Sequence, residues 1–437
     1  MIKKIKNIIL KIDHFLFKKF GTHRSLKVLQ NIKEANLIFS YLNDIGEESK
    51  VRFVGGCVRK ALNGQSIDDI DLATSWKPDE VRKRLTKEGV KVIDTGLAHG
   101  TITAILNKNK FEITTLRKDI LPDGRHSKIE FTSSWEEDAS RRDFTINAIY
   151  SDIEGRIFDP FNGVSDLKKG IVKFIGSANQ RIEEDYLRIL RYIRFFTQYS
   201  KKSYDQSTIK SIKKNINGIN KISKERIFSE LEKILSIKNF YNIFSFGELR
   251  DITLNIFPQF KHVVRLKNIH NLEEELLSRF DSCLFLALLM VDRSDNYEYF
   301  CHKYKTSNNI NNRLKNISEN FDNLLDVKFY SEKNIKKIIY LSSKIYVRDL
   351  LVFSLCINTK VNNLTIKKLI NYVNSCAILK FPISGNYLKK HGYQTGQLLG
   401  RKIKLLEKKW IENNFNLKTQ EAISIVHRVK KSNILNI

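Results

Sequence analysis

The sequence predicts an α+β protein in which a mixed α/β domain near the N-terminal end is followed by a long, wholly helical region. Between about residue 50 and residue 160, short runs of β-branched residues alternate with turn residues and short helical stretches. After residue 178 nearly every segment has apolar residues at helical spacing. Only 19 glycines and 5 prolines occur in 437 residues, which favours a folded, helix-rich chain over a disordered or fibrous one.

The chain is strongly basic, with a formal net charge of +28 and a pI near 9.7. Such a charge indicates a polyanionic partner, with nucleic acid ahead of an anionic membrane surface. The five cysteines are scattered and have no CxxC spacing, which argues against a zinc site or a disulfide framework and favours a reducing compartment, the cytoplasm. Because no apolar run reaches the roughly 18 residues of a membrane span, we expect no membrane association. We predict no stable protein partner.

Four segments are expected along the chain. Residues 1–30 hold eight Lys and Arg and one acid at amphipathic spacing, which predicts a basic helical extension. The mixed α/β domain is predicted over 31–175, a helical neck over 176–240, and an all-helical body and tail over 241–437. Within the last segment, the run "CLFLALLMV" at 283–291 reads as a buried core helix.

The elements of the α/β domain follow from local patterns. "VRFVGG" is a short strand that ends in paired glycines, and "IDLAT" is a second strand. "GTITAILNKNKFEITTLR" and "AIYSDIEGRIFDP" alternate around turn residues as hairpins do. Helical stretches are predicted at 57–63, 78–88 and 140–149.

Three aspartates are crowded into "SIDDIDLAT". Asp69 and Asp71 stand two residues apart, so on a strand their carboxylates project from one face while Asp68 points away. Two such carboxylates repel unless a divalent cation lies between them, and hard oxygen ligands suit magnesium. The alternative for this stretch alone is a solvated surface turn.

Upstream, "VGGCVRKALNG" runs from a strand through Gly55 and Gly56 into a helix that carries Arg59 on its first turn. Paired glycines let the backbone approach a ligand closely, and a helix start offers free amides to phosphate oxygens. Arg59 adds a forked donor to the same anion. The motif is a weak signal alone and a stronger one beside a pair of metal-binding acids.

Two further segments carry charged residues in a regular pattern. In "RRDFTINA", Arg141, Arg142 and Asp143 precede a predicted apolar helix, and an ordinary capped helix start is the alternative. "EEDYLRILRYIRFF", residues 183–196, is predicted as one helix with a buried stripe of Ile189, Tyr192, Ile193 and Phe196. The opposite side carries a charged row that an exposed salt-bridge ladder would also explain, namely Glu184, Asp185, Arg188, Arg191 and Arg194.

Taken together, the motifs resemble those of the bacterial-type (class II) tRNA nucleotidyltransferase and poly(A) polymerase family. GG-x-V-R, D-x-D, RRDFTINA, DPFNG-x-x-DL and ED-x-x-R-x-x-R-x-x-RF follow in order at family spacing over residues 50–235. "SKERIFSEL" at 223–231 resembles a further motif, the family's last in the head and neck. A weaker likeness at 381–410 resembles the tail of the CCA-adding members. The resemblance implies a polymerase-β-like nucleotidyltransferase head followed by a helical neck, body and tail.

The resemblance also implies roles for individual residues. Asp69 and Asp71 would be the catalytic residues and hold two Mg²⁺ ions, with Glu112 as a third acid. Asp185 and Arg188 would read the base in place of a template, because a carboxylate and a guanidinium match the amino group and ring nitrogen shared by cytosine and adenine. Uracil and guanine present the reversed pattern. The remaining nucleotide-binding residues are expected to contact the triphosphate, the ribose or nearby phosphates, namely Gly56, Arg59, Arg142, Arg191 and Arg194.

The implied function is template-independent addition of CCA to the 3′ end of tRNA from CTP and ATP, with release of pyrophosphate. The alternatives are a poly(A) polymerase, an enzyme that adds only CC or only A, and a catalytically inactive RNA-binding module. "DILPDGRHS" at 119–127 stands where the family has a flexible loop that helps change the site from C to A addition. One departure is Lys60, where the family usually has an aspartate.

Overall fold

The structure is a computed structural model, and it describes residues 22–44, 48–121, 128–390 and 392–417. The chain divides into two compact units, residues 1–256 and 257–437. None of the helices in the described ranges combines the length and apolar character that spanning a membrane requires. The predicted order of a mixed α/β region followed by helices is confirmed.

The first unit is built on a seven-stranded sheet with strand order β3-β4-β5-β2-β1-β8-β9. All neighbouring strands in it are antiparallel except β2 and β5, which are parallel. A separate hairpin, β6-β7, flanks residues 122–127, so most of the predicted loop lies outside the described residues. The strands are β1 Val51–Val54, β2 Ile70–Thr74, β3 Lys91–Gly96, β4 Thr101–Leu106, β5 Asn109–Thr115, β6 Arg117–Leu121, β7 Lys128–Phe131, β8 Tyr150–Ser151 and β9 Ile157–Phe158.

Helices of the first unit cover the sheet and then continue beyond it. Of the predicted N-terminal extension, residues 1–21 lie outside the described residues, and the remainder is helical. The helices are α1 Thr22–Gln30, α2 Lys33–Leu42, α3 Gly56–Leu62, α4 Pro78–Lys87, α5 Trp135–Ser140, α6 Gly163–Lys169, α7 Ala178–Glu184, α8 Arg188–Tyr199, α9 Gln206–Asn215, α10 Lys224–Leu235 and α11 Gly247–Ile256.

One core joins the first four helices to the sheet. Phe53 of β1, Leu72 of β2 and Phe111 of β5 are fully buried there against apolar residues of α1 to α4. This packing holds β1, α3 and β2 in a fixed relation. It therefore positions the two glycines after β1 next to the first residues of β2.

The predicted helix over 140–149 is wrong. Helix α5 ends at Ser140, and the segment that follows contains only a short 3₁₀ turn at Thr145–Asn147. Phe144 is extended and forms a bridge with Phe174. The Asp143 carboxylate accepts hydrogen bonds from the Phe144 amide (2.9 Å) and from the side chain of Asn147 (2.8 Å). Such local side-chain bonds compete with helix formation.

The prediction of a single helix over 183–196 is also wrong, because the helix is interrupted between Glu184 and Arg188. Helix α7 ends at Glu184, Asp185 is extended with φ −153° and ψ 106°, and α8 begins at Arg188. Tyr186 fills the break and packs against Gly218, where a Cβ atom would lie 2.1 Å from its ring. The predicted stripe of Ile189, Tyr192, Ile193 and Phe196 is buried as expected.

The described residues of the second unit form helices joined by turns and irregular segments, with no strand among them. The predicted core helix at 283–291 is confirmed, since every residue of Cys283–Met290 is buried. The helices are α12 Glu274–Leu277, α13 Ser282–Met290, α14 Asn296–Tyr304, α15 Asn308–Glu319, α16 Glu332–Leu341, α17 Lys344–Ile357, α18 Asn363–Ser375, α19 Gly385–Lys390 and α20 Gln397–Glu412.

Candidate active site

A polar cavity of about 420 Å³ lies in the first unit, between the start of α3, the segment after α5 and the start of α8. Every residue predicted to bind the nucleotide lines it, together with Asp71. The lining residues are Gly55, Gly56, Arg59, Asp71, Arg142, Asp143, Asn147, Asp185, Arg188, Arg191, Arg194 and Phe195. The wall thus carries five arginines against three aspartates, a formal excess of two positive charges. This balance suits an anionic ligand.

Of three neighbouring acids, Asp69, Asp71 and Glu112, only Asp71 lines the cavity. Asp71 is the second residue of β2 and pairs in parallel register with Glu112 of β5, so the two side chains project from the same face of adjacent strands. Asp69 immediately precedes β2 and is exposed, and it does not line the cavity. Burial, Glu112 and Asp69 all raise the pKa of Asp71, whereas Arg142 and Arg59 lower it, and the net shift is upward.

The crowding of acids bears on whether a metal fits. Among the residues described, no group of three or more His, Cys, Asp or Glu side chains could by itself hold a metal ion. Mg²⁺, however, commonly takes only one or two protein carboxylates and completes its shell with substrate phosphates and water. Asp71, whose pKa is raised by burial, Glu112 and Asp69, stands beside an arginine-lined cavity and fits that mode of binding.

The glycines after β1 bring the backbone close to this acid. Gly55 has φ +66°, a conformation that favours glycine, and it turns the chain into α3. A Cβ atom on Gly56 would lie 3.7 Å from the Asp71 Oδ2 atom. The absence of a side chain at Gly56 therefore leaves space beside the Asp71 carboxylate.

Arg59 has an unusual environment for a buried cation. It is only 6% exposed, its Nη1 atom donates to the Oδ1 atom of Asn147, and its guanidinium lies 4.7 Å from the centre of the Phe195 ring. Its Nε atom is buried and has no hydrogen-bond partner among the described residues. Buried donors are normally paired, so this one indicates a missing acceptor at the cavity.

Arg142 is held by a buried network that the sequence did not reveal. Asp138, which is 1% exposed, accepts hydrogen bonds from Arg141, Arg142 and the Tyr150 hydroxyl. Burial opposes its ionisation, but the two arginines and Tyr150 outweigh burial and hold the pKa of Asp138 below its usual range. Arg142 also donates to the Tyr150 hydroxyl over 2.9 Å. The acid four residues before Arg142 in "DASRRDFT" was the available signal.

Asp143 connects the α5–β8 segment to α8. Its Oδ2 atom accepts a hydrogen bond of 2.6 Å from Arg191. Burial opposes ionisation, but Arg191 and the hydrogen bond from Asn147 outweigh it and lower the pKa of Asp143 to about 2. Asp143 is thus a charged anchor for Arg191 at the wall of the cavity.

Asp185 and Arg188 lie on either side of the helix break. Each side chain is fixed by hydrogen bonds to neighbouring residues. The Asp185 carboxylate accepts from the Leu187 amide (3.1 Å) and from Arg226 of α10 (2.8 Å). Arg188 donates to Glu184 (2.6 Å) and to the carbonyl of Arg181 (2.9 Å). The break brings both side chains to the cavity, whereas the predicted continuous helix would have put them on one exposed row.

Arg194 is nearly buried, and Phe195 and Glu230 surround it. Its guanidinium lies 4.2 Å from the centre of the Phe195 ring, and its Nε atom donates to Glu230 of α10, which is 2% exposed. Arg59 and Arg191 lie over the same ring. Phe195 and Glu230 were not predicted as site residues from the sequence. The "RF" that ends the ED-x-x-R motif was an available signal for Phe195.

Lys60, the departure from the family pattern, pairs with Asp68. The Lys60 Nζ atom lies 2.7 Å from the Asp68 Oδ2 atom, and the Asp68 side chain is 69% exposed. Neither residue lines the cavity. The substitution therefore ties the first acid of "DDID" to α3 and leaves the cavity wall unchanged.

Comparisons with known proteins identify the family. A family model described as the poly A polymerase head domain matches residues 51–173, and one described as the probable RNA and SrmB-binding site of polymerase A matches 204–261. The mitochondrial CCA tRNA nucleotidyltransferase 1 of Mus musculus is 32% identical over 400 residues, 87% of each chain. The CCA-adding enzyme of Ligilactobacillus salivarius is 31% identical over 404 residues, 90% of this chain and 92% of that one.

A solved structure agrees at the level of the fold. The crystal structure of the Bacillus stearothermophilus CCA-adding enzyme in complex with CTP aligns with a TM-score of 0.71 over 93% of this chain and 99% of that chain, at 22% identity. The resemblance found in the sequence is thereby supported by fold as well as by relatives that match over most of their length. The chain belongs to the family of CCA-adding tRNA nucleotidyltransferases.

Proposed function

We propose that this protein adds the nucleotides C, C and A in turn to the 3′ end of tRNA, using CTP and ATP and releasing pyrophosphate. One observation supports the proposal most directly: a single cavity is lined by Asp71 of β2, by the Asp185–Arg188 pair and by four further arginines. Catalytic acids, phosphate ligands and base ligands are the three groups that such a reaction needs. The similar enzyme from Bacillus stearothermophilus was crystallised with CTP, which supports a nucleotide as ligand.

At the sheet end, Asp69 and Asp71 would be the ligands of Mg²⁺. Divalent ions bound there supply the charge that stabilises the attacking and leaving oxygens of an in-line displacement. Gly56 places no side chain beside the Asp71 carboxylate. Glu112 adds a third carboxylate on the neighbouring strand and strengthens the attraction for cations.

The arginines would hold the triphosphate and ribose. Arg59 is the best candidate for a phosphate ligand, because its buried Nε atom has no hydrogen-bond acceptor among the described residues. Arg142, Arg191 and Arg194 are each fixed by a buried or nearly buried acid, namely Asp138, Asp143 and Glu230. Prepositioned charges need little reorganisation when the anion arrives, which is the main source of such stabilisation.

Asp185 and Arg188 would read the base. The carboxylate accepts from the amino group of cytosine or adenine, and the guanidinium donates to the adjacent ring nitrogen. Uracil or guanine would set a carbonyl against the carboxylate and an N–H against the guanidinium. Such mispairing of buried polar groups discriminates by about 10⁴-fold or more.

The second candidate is a poly(A) polymerase, which the description of the matching head-domain model favours. One assay separates the two. Full-length protein is given Mg²⁺ and a tRNA that ends either at the base before CCA or in CC, with CTP, ATP or both. We expect two C residues from CTP alone and a completed CCA end when ATP is added.

Long A tails from ATP with no use of CTP would overturn the proposal in favour of the polymerase. Arrest after CC, or A addition only to a tRNA that already ends in CC, would instead show a partial activity. Binding of tRNA without any incorporation would show an inactive RNA-binding module. The product lengths from the two tRNA substrates on a sequencing gel distinguish these outcomes.

A further inference from the structure

Helix α10 carries the "SKERIFSEL" motif, and two of its charged residues pair with groups at the cavity. Arg226 donates to the Oδ2 atom of Asp185 over 2.8 Å, and Glu230 accepts from Arg194. Residues four apart share one face of a helix, so both contacts come from the face that α10 turns toward α8. Neither Arg226 nor Glu230 lines the cavity.

We propose that Arg226 is a specificity-determining positioning residue, which fixes the Asp185 carboxylate as the hydrogen-bond acceptor that selects cytosine and adenine. This inference rests on the proposed base-reading role of Asp185. Arg226 contacts the carboxylate but does not line the cavity, so it does not contact the base itself. Its effect is therefore exerted through Asp185.

The geometry leaves the carboxylate little freedom. The Oδ1 atom is engaged by the Leu187 amide and the Oδ2 atom by Arg226, so rotation of the carboxyl group would break at least one hydrogen bond. Both partners are partly shielded, since the side chains of Arg226 and Asp185 are 28% and 21% exposed. Arg226 is anchored by α10, whose apolar face, including Ile227 and Leu231, is buried.

The positions of the Asp185 carboxylate and the Arg188 guanidinium must be fixed, because base selection depends on which of them faces the amino group and which faces the ring nitrogen. Uracil and guanine would be accepted if the carboxylate could move to the ring N–H and a guanidinium could take the carbonyl. Arg188 is prevented from such an exchange by Glu184 and the Arg181 carbonyl. Arg226 is the matching restraint on Asp185. Without a template strand, this pair of restraints is what keeps the acceptor and donor from changing places.

The test compares selectivity with overall activity in the full-length protein. Arg226→Gln removes the charged restraint, and Lys224→Gln is the matched control, because it removes one positive charge from the first turn of the same helix. Steady-state kcat and KM are measured for CTP and UTP on a tRNA lacking CCA, and for ATP and GTP on a tRNA ending in CC. We expect Arg226→Gln to lower the CTP/UTP and ATP/GTP ratios of kcat/KM by roughly ten- to a hundredfold.

Further variants sharpen the result. The KM for CTP should change little in Arg226→Gln, because the triphosphate ligands are untouched, and Arg226→Lys should recover part of the selectivity. The control should keep both ratios. In a double-mutant cycle, Arg226→Gln should add little to the loss of selectivity caused by Asp185→Asn, since both act through one carboxylate.

The outcomes separate this inference from the proposed function. If Asp185→Asn lowers selectivity and Arg226→Gln does not, the positioning role is overturned while the base-reading role of Asp185 stands. If neither variant changes selectivity, the base-reading assignment fails as well. An equal fall in kcat/KM for all four nucleotides would show a purely structural role for Arg226. Should Arg226→Gln not fold, Arg226→Lys decides the same question, because it retains the charge but not the guanidinium geometry.

Discussion

Asp71 occupies the point where the sheet meets the arginine-lined cavity, and its environment is one that a bound cation would relieve. Burial and two neighbouring carboxylates raise its pKa, which means that its charged form is destabilised in the absence of a compensating positive charge. A divalent ion bound there would supply that charge. The same carboxylate stands 3.7 Å from where a Cβ atom of Gly56 would lie, so the glycine leaves space beside it.

The first prediction concerns this carboxylate. Asp71→Asn keeps the size and removes the charge, and it should lower kcat/KM for CTP addition by about a thousandfold or more, because loss of metal binding removes several kcal/mol of transition-state stabilisation. Affinity for tRNA, measured by filter binding, should remain within about threefold.

Asp68→Asn is the matched control, because it changes an acid of the same motif that pairs with Lys60 at the surface. Exposed ion pairs contribute about 0–1 kcal/mol, so its activity should stay within about fivefold of the parent. An active Asp71→Asn enzyme would show that the metal ligands have been placed wrongly.

The cavity arginines differ in how they are held. Arg142, Arg188, Arg191 and Arg194 each pair with an acid, so their charges are partly compensated before any ligand binds. Arg59 donates to a neutral amide oxygen and lies over Phe195. Its charge is therefore the least compensated among these five, which is consistent with a direct contact to phosphate.

At the scale of elements, the "DPFNG" motif organises the segment that carries Arg142 and Asp143. The Asp159 carboxylate accepts from the amides of Gly163 (2.7 Å) and Val164 (2.9 Å) and so begins helix α6. Thr145 donates to Asp166 of the same helix over 2.7 Å. Helix α6 thus packs directly on the irregular turn after the arginines and fixes its course.

The close packing of α6 gives a prediction for stability. A Cβ atom on Gly163 would lie 2.1 Å from the backbone oxygen of Thr145, which cannot move without disturbing the 3₁₀ turn. Gly163→Ala should therefore lower the free energy of unfolding by roughly 1–3 kcal/mol, as overpacking usually does. Urea denaturation followed by circular dichroism measures the change.

Gly247 provides the comparison within the same unit. It stands at the start of α11, and nothing lies within 4 Å of the position of its Cβ atom. Gly247→Ala should leave the unfolding free energy within about 0.5 kcal/mol. Equal stability of the two variants would contradict the packing described for Gly163.

At the scale of the whole molecule, the excess of Lys and Arg is the dominant property. The formal net charge of +28 far exceeds the excess of two charges on the cavity wall, so most of the basic character lies elsewhere on the chain. A long polyanion such as tRNA would be attracted over a much larger surface than a nucleotide occupies.

The salt dependence of tRNA binding follows from this charge. Affinity should fall by at least about tenfold between 50 and 200 mM salt, which corresponds to release of counterions from two or more phosphates. Titration of labelled tRNA at several salt concentrations gives the slope. Asp71→Asn should keep that slope, since it changes no phosphate contact outside the cavity, and a salt-independent affinity would contradict electrostatic binding.

Much of the fold was open to prediction because its signals are local. The strands around the two glycines, the hairpin across Asn107 and the buried helix at 283–291 follow from spacing and turn residues, and the structure has them. The errors at 140–149 and 183–196 arose where side chains override helical propensity. The Asp143 carboxylate accepts a hydrogen bond from the adjacent Phe144 amide. Tyr186 packs against Gly218, which is distant in sequence.

The sequence by itself determined the α+β order of the chain, its basic character and the residue types at the candidate site, because these depend on composition and short spacings. The tertiary structure alone decided which distant partners hold them: Glu230 accepts from Arg194, and Arg226 donates to Asp185. Such partners are set by the packing of helices and strands far apart in the chain, and no local pattern records that packing.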